Sequence, residues 1–181
     1  MIRGMRSLAI AGAVAILTAC SAPPAPPALL TPPRVEATTR HPGTVEVTAT
    51  GGCAPCSIAQ AGISDESLAE AVVAALRESG TFAGAGRDSG SDYRLAVQIF
   101  RVDMPVVGLS MRSQAELGWT LTEQRTGRQV WQRSFQTAHV ATFGDSPIGQ
   151  LRAERAWQGA VAANIAEAVA ALSRVPLTPV R

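Results

Sequence analysis

The chain has 181 residues, 17% of them charged and 4% aromatic, a length that suits one domain. All sixteen basic residues are Arg, which excludes Walker-type phosphate binding, Schiff-base chemistry and lysine general bases. Arg3 and Arg6 lie in the first nineteen residues; the remaining fourteen Arg face fourteen Asp plus Glu, and a neutral chain carries no electrostatic footprint for nucleic acid.

The chain opens MIRGMRSLAIAGAVAILTAC. Arg3 and Arg6 form a positive start, and Ser7 to Ala19 is an apolar run of thirteen residues, too short to span a bilayer but suited to a signal peptide. Its end, Leu17-Thr18-Ala19-Cys20, resembles the lipobox of bacterial lipoproteins. The resemblance implies that residues 1–19 are removed and that Cys20 becomes the lipid-attachment site and first residue. Multiple acyl chains give a stable membrane anchor. Ser21, not Asp, follows Cys20. In lipoproteins of this kind that favours the outer membrane, with the domain facing the periplasm.

Residues 20–42 read as the lipidated Cys and a Pro-rich linker. Six of the fourteen residues in 21–34 are Pro. At about 3.1 Å per residue that stretch reaches roughly 40 Å, with roughly 20 Å more to Pro42. A foldable domain is expected over 43–175, with a short tail at 176–181.

Within the domain, Thr44 to Thr50 alternates and is β-branched, as a strand does. Ser64 can cap a helix, Asp65 and Glu66 suit its first turn, Ile63 can staple onto Leu68, and Gly80 stops it. Leu68, Val72, Ala75 and Leu76 form its apolar face. Residues 84–91 read as a flexible loop. Three period-two runs follow: Asp92 to Val102 with Tyr93, Leu95, Val97 and Ile99 on one side, Arg112 to Gln124 with Ala115, Leu117, Trp119 and Leu121 on one side, and Arg128 to Thr142. Asp145-Ser146-Pro147 opens a helix that runs to about Ser173 with a stripe of Leu151, Trp157, Val161, Ile165, Val169 and Leu172. The expected fold is α+β: an about four-stranded, mainly antiparallel sheet with two helices on one face, in the order β-α-β-β-β-α.

Ser91-Asp92-Tyr93-Arg94-Leu95, then Trp119-Thr120-Leu121, then Arg125-Thr126-Gly127-Arg128-Gln129-Val130-Trp131, resemble a pattern of small periplasmic lipoprotein domains. These include activators of penicillin-binding proteins, the curli-secretion lipoprotein, the amino-terminal domain of the TolB translocation protein and auxiliary lipoproteins of ABC-type lipid transporters. With Ala163-Asn164-Ile165 in an Ala-rich helix, the chain most resembles uncharacterised lipoproteins of this shape. The resemblance covers roughly residues 63–173 and implies an accessory or scaffolding part without a catalytic residue set.

Cys53 and Cys56 are the sharpest chemical feature. A CxxC pair serves as a disulfide, a redox dithiol or half a metal site. The expected helix begins about eight residues too late for a thioredoxin-like dithiol, and only His41 and His139 remain as further ligands, without paired spacing. In an oxidising compartment the expectation is a small disulfide between Cys53 and Cys56, with no metal and no cofactor. Phe143-Gly144-Asp145-Ser146 looks like a GDSL-type nucleophile block, but no His follows Ser146 to serve as its base. Gly84-Ala85-Gly86 precedes a strand and lacks the third glycine of a dinucleotide fingerprint. His139 has no visible partner. Arg94, Arg101, Arg112, Arg128 and Arg133 read as a solvated sheet face, balanced by Asp103, Glu116 and Glu123.

Met104, Pro105, Val106, Val107, Leu109 and Met111 make an apolar connection where polar turns are usual. They are the candidate partner-binding surface. The expected function is therefore a non-enzymatic outer-membrane lipoprotein, held by its lipid anchor, acting as accessory or scaffold in a cell-envelope complex with an envelope protein partner. One alternative is an auxiliary lipoprotein that binds phospholipid in a transport system, with an apolar groove between helices and sheet. The other is a periplasmic thiol-disulfide protein using Cys53 and Cys56.

Overall fold

The structure is a computed structural model that describes residue 30, residues 32–53 and residues 62–177. The elements are β1 (His41–Thr50), α1 (Asp65–Ser79), β2 (Phe82–Gly86), β3 (Tyr93–Val102), β4 (Met111–Glu123), β5 (Gln129–Ala141) and α2 (Gly149–Leu172). One five-stranded sheet has the order β2-β1-β3-β4-β5. This α+β fold corrects the expectation of about four, mainly antiparallel strands: β1 lies parallel to both β2 and β3, and only β3-β4-β5 is antiparallel.

The extra strand is β2, Phe-Ala-Gly-Ala-Gly, part of which reads as loop in the sequence. Nothing in its residues favours a strand. Its pairing partner does: Thr44, Val45 and Glu46 of β1 register with Gly84, Ala85 and Gly86, and Arg77 Nε of α1 donates to Ala85 O at 2.7 Å. The short β2 lines the first half of β1, and β3 takes over from Val45 to Thr50 on the other side.

Helix α1 forms as its residues dictate. Ser64 is the N-cap and accepts from Ser67 N–H at 3.1 Å; Gly80 ends the helix at φ +67°, a left-handed conformation that glycine adopts without strain. Ile63, Leu68, Val72 and Leu76 are all buried in one cluster.

Helix α2 begins later than Asp145-Ser146-Pro147 suggests. Thr142 N–H and Oγ–H donate to Asp145 Oδ2 at 2.6 and 2.8 Å, so a tight turn consumes the would-be cap and the helix starts at Gly149. Leu151 is exposed, not part of the stripe. It lies six residues before Trp157, about 240° around the helix. The buried face instead runs through Arg152, Ala156, Ala160, Asn164, Ala168 and Leu172, with Trp157, Val161, Ile165 and Val169 beside them.

Both helices cover one face of the sheet, α1 over β1 and β2, α2 over β4 and β5, and they touch each other. The space between is filled by Val45, Val47, Leu68, Leu76, Leu95, Leu117, Trp119, Ile165 and Leu172, all nearly inaccessible. On the opposite face Glu46 is buried and neutralised, accepting from Arg94 Nε at 3.2 Å and from Gln124 Nε2 at 2.7 Å.

The incoming chain meets the end of the domain where both helices finish. Arg34 pairs with Glu78 in the last turn of α1, and His41 Nε2–H donates to Leu172 O at 3.1 Å. Leu30 is buried and Val35 packs on the core.

Candidate functional site

At the other end of the domain β3 gives way to β4, and the apolar connection lies there. Asp103 N–H donates to Gln114 O at 2.8 Å and Ser113 Oγ–H donates to Asp103 O, which closes the ladder beneath it. Beyond that closure the chain has no strand partner. Val106, Val107 and Leu109 are 87%, 84% and 77% exposed. Met104 and Pro105 are half-buried at its base. Gly108 holds φ +147°, and a Cβ there would stand 2.7 Å from Ser110 O, so the turn admits only glycine.

Met111 does not belong to this surface. It is 3% exposed and packs in a small second core with Ala141, Ala153 and Ala156. Its backbone pairs with Ala141 as the first residue of β4, and strand alternation turns the side chain under α2.

Three further apolar side chains stand exposed where β5 ends and α2 begins: Phe143 (57%), Ile148 (57%) and Leu151 (42%). Arg152 joins the two groups. Its Nη1 donates to Ser146 O at 2.7 Å, its Nη2 donates to Gly108 O at 2.6 Å, and its guanidinium carbon lies 5.8 Å from the Phe143 ring centroid. Arg152 is 6% exposed, and its Nε has no hydrogen-bond partner. Among the described residues no carboxylate pairs with it. Two backbone carbonyls are its hydrogen-bond partners among the described residues. Nothing in the sequence singles out Arg152; only the fold shows it on the buried face of α2.

The other candidates fall elsewhere. Cys20 and Cys56 lie outside the described residues. Cys53 is half-buried beside the start of α1: its N–H donates to Ile63 O at 3.1 Å, its Sγ lies 3.7 Å from that oxygen, and Gly52 N–H donates to Asp65 Oδ1 at 2.6 Å. His41 is a buried link between β1 and the end of α2. His139 faces α2, where its ring fills the space that a Cβ on Gly159 would need. Among the described residues no three His, Cys, Asp or Glu side chains gather as a metal site. Ser146 Oγ bonds only within its own turn, with Ile148 N–H at 3.2 Å and Ile148 O at 3.3 Å. Of the Arg series, Arg133 departs from the expected face: it registers with Trp119 and so projects toward the helix side, exposed at the rim.

Asp145 and Tyr93 titrate away from their ordinary values for reasons visible in the geometry. The two hydrogen bonds from Thr142 hold the Asp145 carboxyl below the usual carboxylate range, with Arg155 and His139 adding to the effect. Burial first, then the charges of Glu123 and Asp92, push the Tyr93 phenol up. Tyr93, Glu123 and Arg128 line a polar cleft of about 80 Å³ with Val130, Pro176 and Leu177. Ligand pockets usually occupy several hundred Å³. Core side chains occupy the space between helices and sheet where the apolar groove expected for a lipid carrier would lie.

No family model and no curated protein matches the chain. Solved structures do. A Xanthomonas campestris protein of family DUF330 is 22% identical with a TM-score of 0.54, covering 77% of this chain and 87% of that one. The PelC dodecamer from Paraburkholderia phytofirmans is 12% identical with a TM-score of 0.49, covering 78% and 94%. Lipoprotein GNA1162 from Neisseria meningitidis is 12% identical with a TM-score of 0.39, covering 55% and 84%. At this identity the Xanthomonas likeness establishes a shared fold, and fold does not by itself carry a function.

Proposed function

We propose that this chain is a non-enzymatic outer-membrane lipoprotein that serves as an accessory or scaffold in a cell-envelope complex. A scaffold needs two attachment points. One is the lipid on Cys20, which enters the domain where α1 and α2 finish. The other is the apolar tip of Val106, Val107 and Leu109 at the far end, where α2 begins. A 24-residue helix separates the two ends, about 36 Å at 1.5 Å per residue. The single observation that carries the reading is the exposure of these three side chains on a turn that Arg152 fixes in place. Solvent-exposed apolar surface held in a defined shape is the mark of an interaction site.

The test is a photo-crosslinking side chain at Val107 in intact cells, with Gln132 on the exposed sheet face as control. Adducts from Val107 alone support the reading; equal adducts from both positions, or none, sink it. Incorporation of a labelled fatty acid that Cys20→Ala abolishes tests the anchor separately.

Phospholipid handling is the second reading. The filled interlayer space argues against carriage of a chain inside the domain. Arg152 argues for lipid contact at the surface, because an uncompensated cation beneath an apolar rim matches an anionic amphiphile.

A further inference from the structure

We infer that the tip docks onto an acidic phospholipid surface, with lipid phosphate drawn to the N-terminus of α2 and the apolar side chains entering the interface around it. The inference rests on the reading of the tip as the working surface and names what it meets.

Three independent features converge there. The first is the open start of α2. Arg152 N–H is the first to bond within the helix, to Ile148 O at 2.9 Å, so the N–H groups of Gly149, Gln150 and Leu151 project from its end. Ile148, in the cap position, supplies no side-chain acceptor, and the first turn holds no acid. A 24-residue helix thus presents three N–H groups at its positive end, with the nearest carboxylate, Asp145, four residues before Gly149 and held by Thr142. The second is Arg152 itself. Its Nη2 lies 3.9 Å from where a Cβ on Gly149 would stand, so the buried guanidinium, with Nε unpartnered, backs the same turn. The nearby acids are engaged: Asp103 accepts from Arg101 at 2.6 Å, and Asp145 accepts from Thr142. The third is the rim of Val106, Val107, Leu109, Phe143, Ile148 and Leu151.

The shape of the rim selects the occupant. A partner helix or peptide seeks a groove lined with apolar walls. Here the most exposed side chains stand on the crest of a turn; the exposed Arg112 follows Leu109 by three residues, and the exposed Arg155 follows Arg152 by three. Protruding apolar residues beside cations fit a bilayer interface, where the apolar groups bury and the cations meet lipid phosphate.

The test uses the chain from residue 20 to 181 carrying Cys20→Ser, so that no acyl group contributes. Binding is measured by co-sedimentation with vesicles of phosphatidylglycerol and phosphatidylethanolamine, and with vesicles of phosphatidylcholine alone. The expected result is binding to the acidic vesicles that weakens with salt and is lost on phosphatidylcholine. Substituting Val106, Val107 and Leu109 together by Ser should weaken binding more than about tenfold. Gln150→Glu separates the inference from a folding defect. The position is exposed, and an acid in the first turn should raise the thermal midpoint while weakening vesicle binding about fivefold. Equal binding to both vesicle types, no binding, or Gln150→Glu without effect on binding overturns the inference. So does a Val107 photo-adduct that consists of protein alone. Failure of Cys20 to take up a fatty acid overturns the anchor and leaves the vesicle result standing.

Discussion

Trp119 of β4 donates its indole N–H to Asn164 Oδ1 of α2 at 3.0 Å, with both residues wholly inaccessible. Asn164 also donates Nδ2–H to Phe135 O of β5 at 2.7 Å. One side chain therefore satisfies a buried donor on β4 and a carbonyl on β5. The neighbouring Ala156, Ala160 and Ala168 are small enough to bring α2 close to the sheet, and Thr137 Oγ–H reaches Ala160 O at 2.7 Å. Asn164→Leu should leave the indole N–H buried without a partner and cost about 2–4 kcal/mol, from the unsatisfied donor and the overfilled space. Urea denaturation is the measurement. A midpoint shift equivalent to less than about 0.5 kcal/mol would show that the bond carries no net stability.

Much of the fold is readable along the chain, for physical reasons that also explain what is not. Ser64 and Gly80 bound α1 because capping is a local matter of one side chain and one backbone conformation. Leu95, Leu117 and Trp119 alternate correctly because period two says which face a residue takes. It does not say which strand lies beside it or in which direction. Hence β3-β4-β5 is legible, with its Thr126-Gly127 turn, while the parallel β2-β1-β3 half is not. In β1 the alternation marks the strand, but nothing local shows that Glu46, on the face opposite Val45 and Val47, is buried; that follows only when Arg94 of β3 and Gln124 after β4 bond to it. The tip shows the same division. Val106, Val107 and Leu109 stand out in sequence because apolar residues are unusual in a connection. Phe143 and Ile148 come from a different connection, Leu151 and Arg152 from the first turn of α2, and they join the tip only in three dimensions.

Arg152 is predicted to hold the tip more than it holds the domain. Removing a buried cation relieves its desolvation, and this offsets the loss of two hydrogen bonds to carbonyls. Arg152→Met should therefore change global stability by no more than about 1 kcal/mol, while the 104–110 turn is cut faster by protease. Limited proteolysis beside urea denaturation distinguishes the two. Unchanged cleavage across 104–110 would mean that the turn keeps its shape without the clasp.

Asp145 gives the fold an acid limit. Its carboxyl titrates below its unfolded value because the Thr142 N–H and hydroxyl bond the ionised form. A depressed native pKa means that the contribution is complete above the unfolded carboxylate pKa and fades as pH falls through the native one. Asp145→Asn should thus lower the thermal midpoint at neutral pH and leave it nearly unchanged in strong acid. The difference between wild type and variant should shrink as pH drops below about 4. A difference that stays constant across that range would assign the effect to hydrogen-bond geometry and not to charge.

The Cys53–Cys56 pair is expected to be a closed structural disulfide. Cross-linking so short a loop removes limited chain entropy, about 2 kcal/mol on the loop-closure scale. Gly52 and Cys53 are already fixed to the start of α1 through Asp65 and Ile63, so opening the bridge should loosen the entry to that helix and spare the sheet. Changing both cysteines to Ser should lower stability by about that amount, and reductant should lower the wild type equally. Thiol titration of the unfolded, unreduced protein from residue 20, carrying Cys20→Ser, should find no free thiol. Two titratable thiols would remove the disulfide. A pair that equilibrates with glutathione near the potential of known oxidoreductases, without loss of stability, would move the assignment to thiol-disulfide exchange.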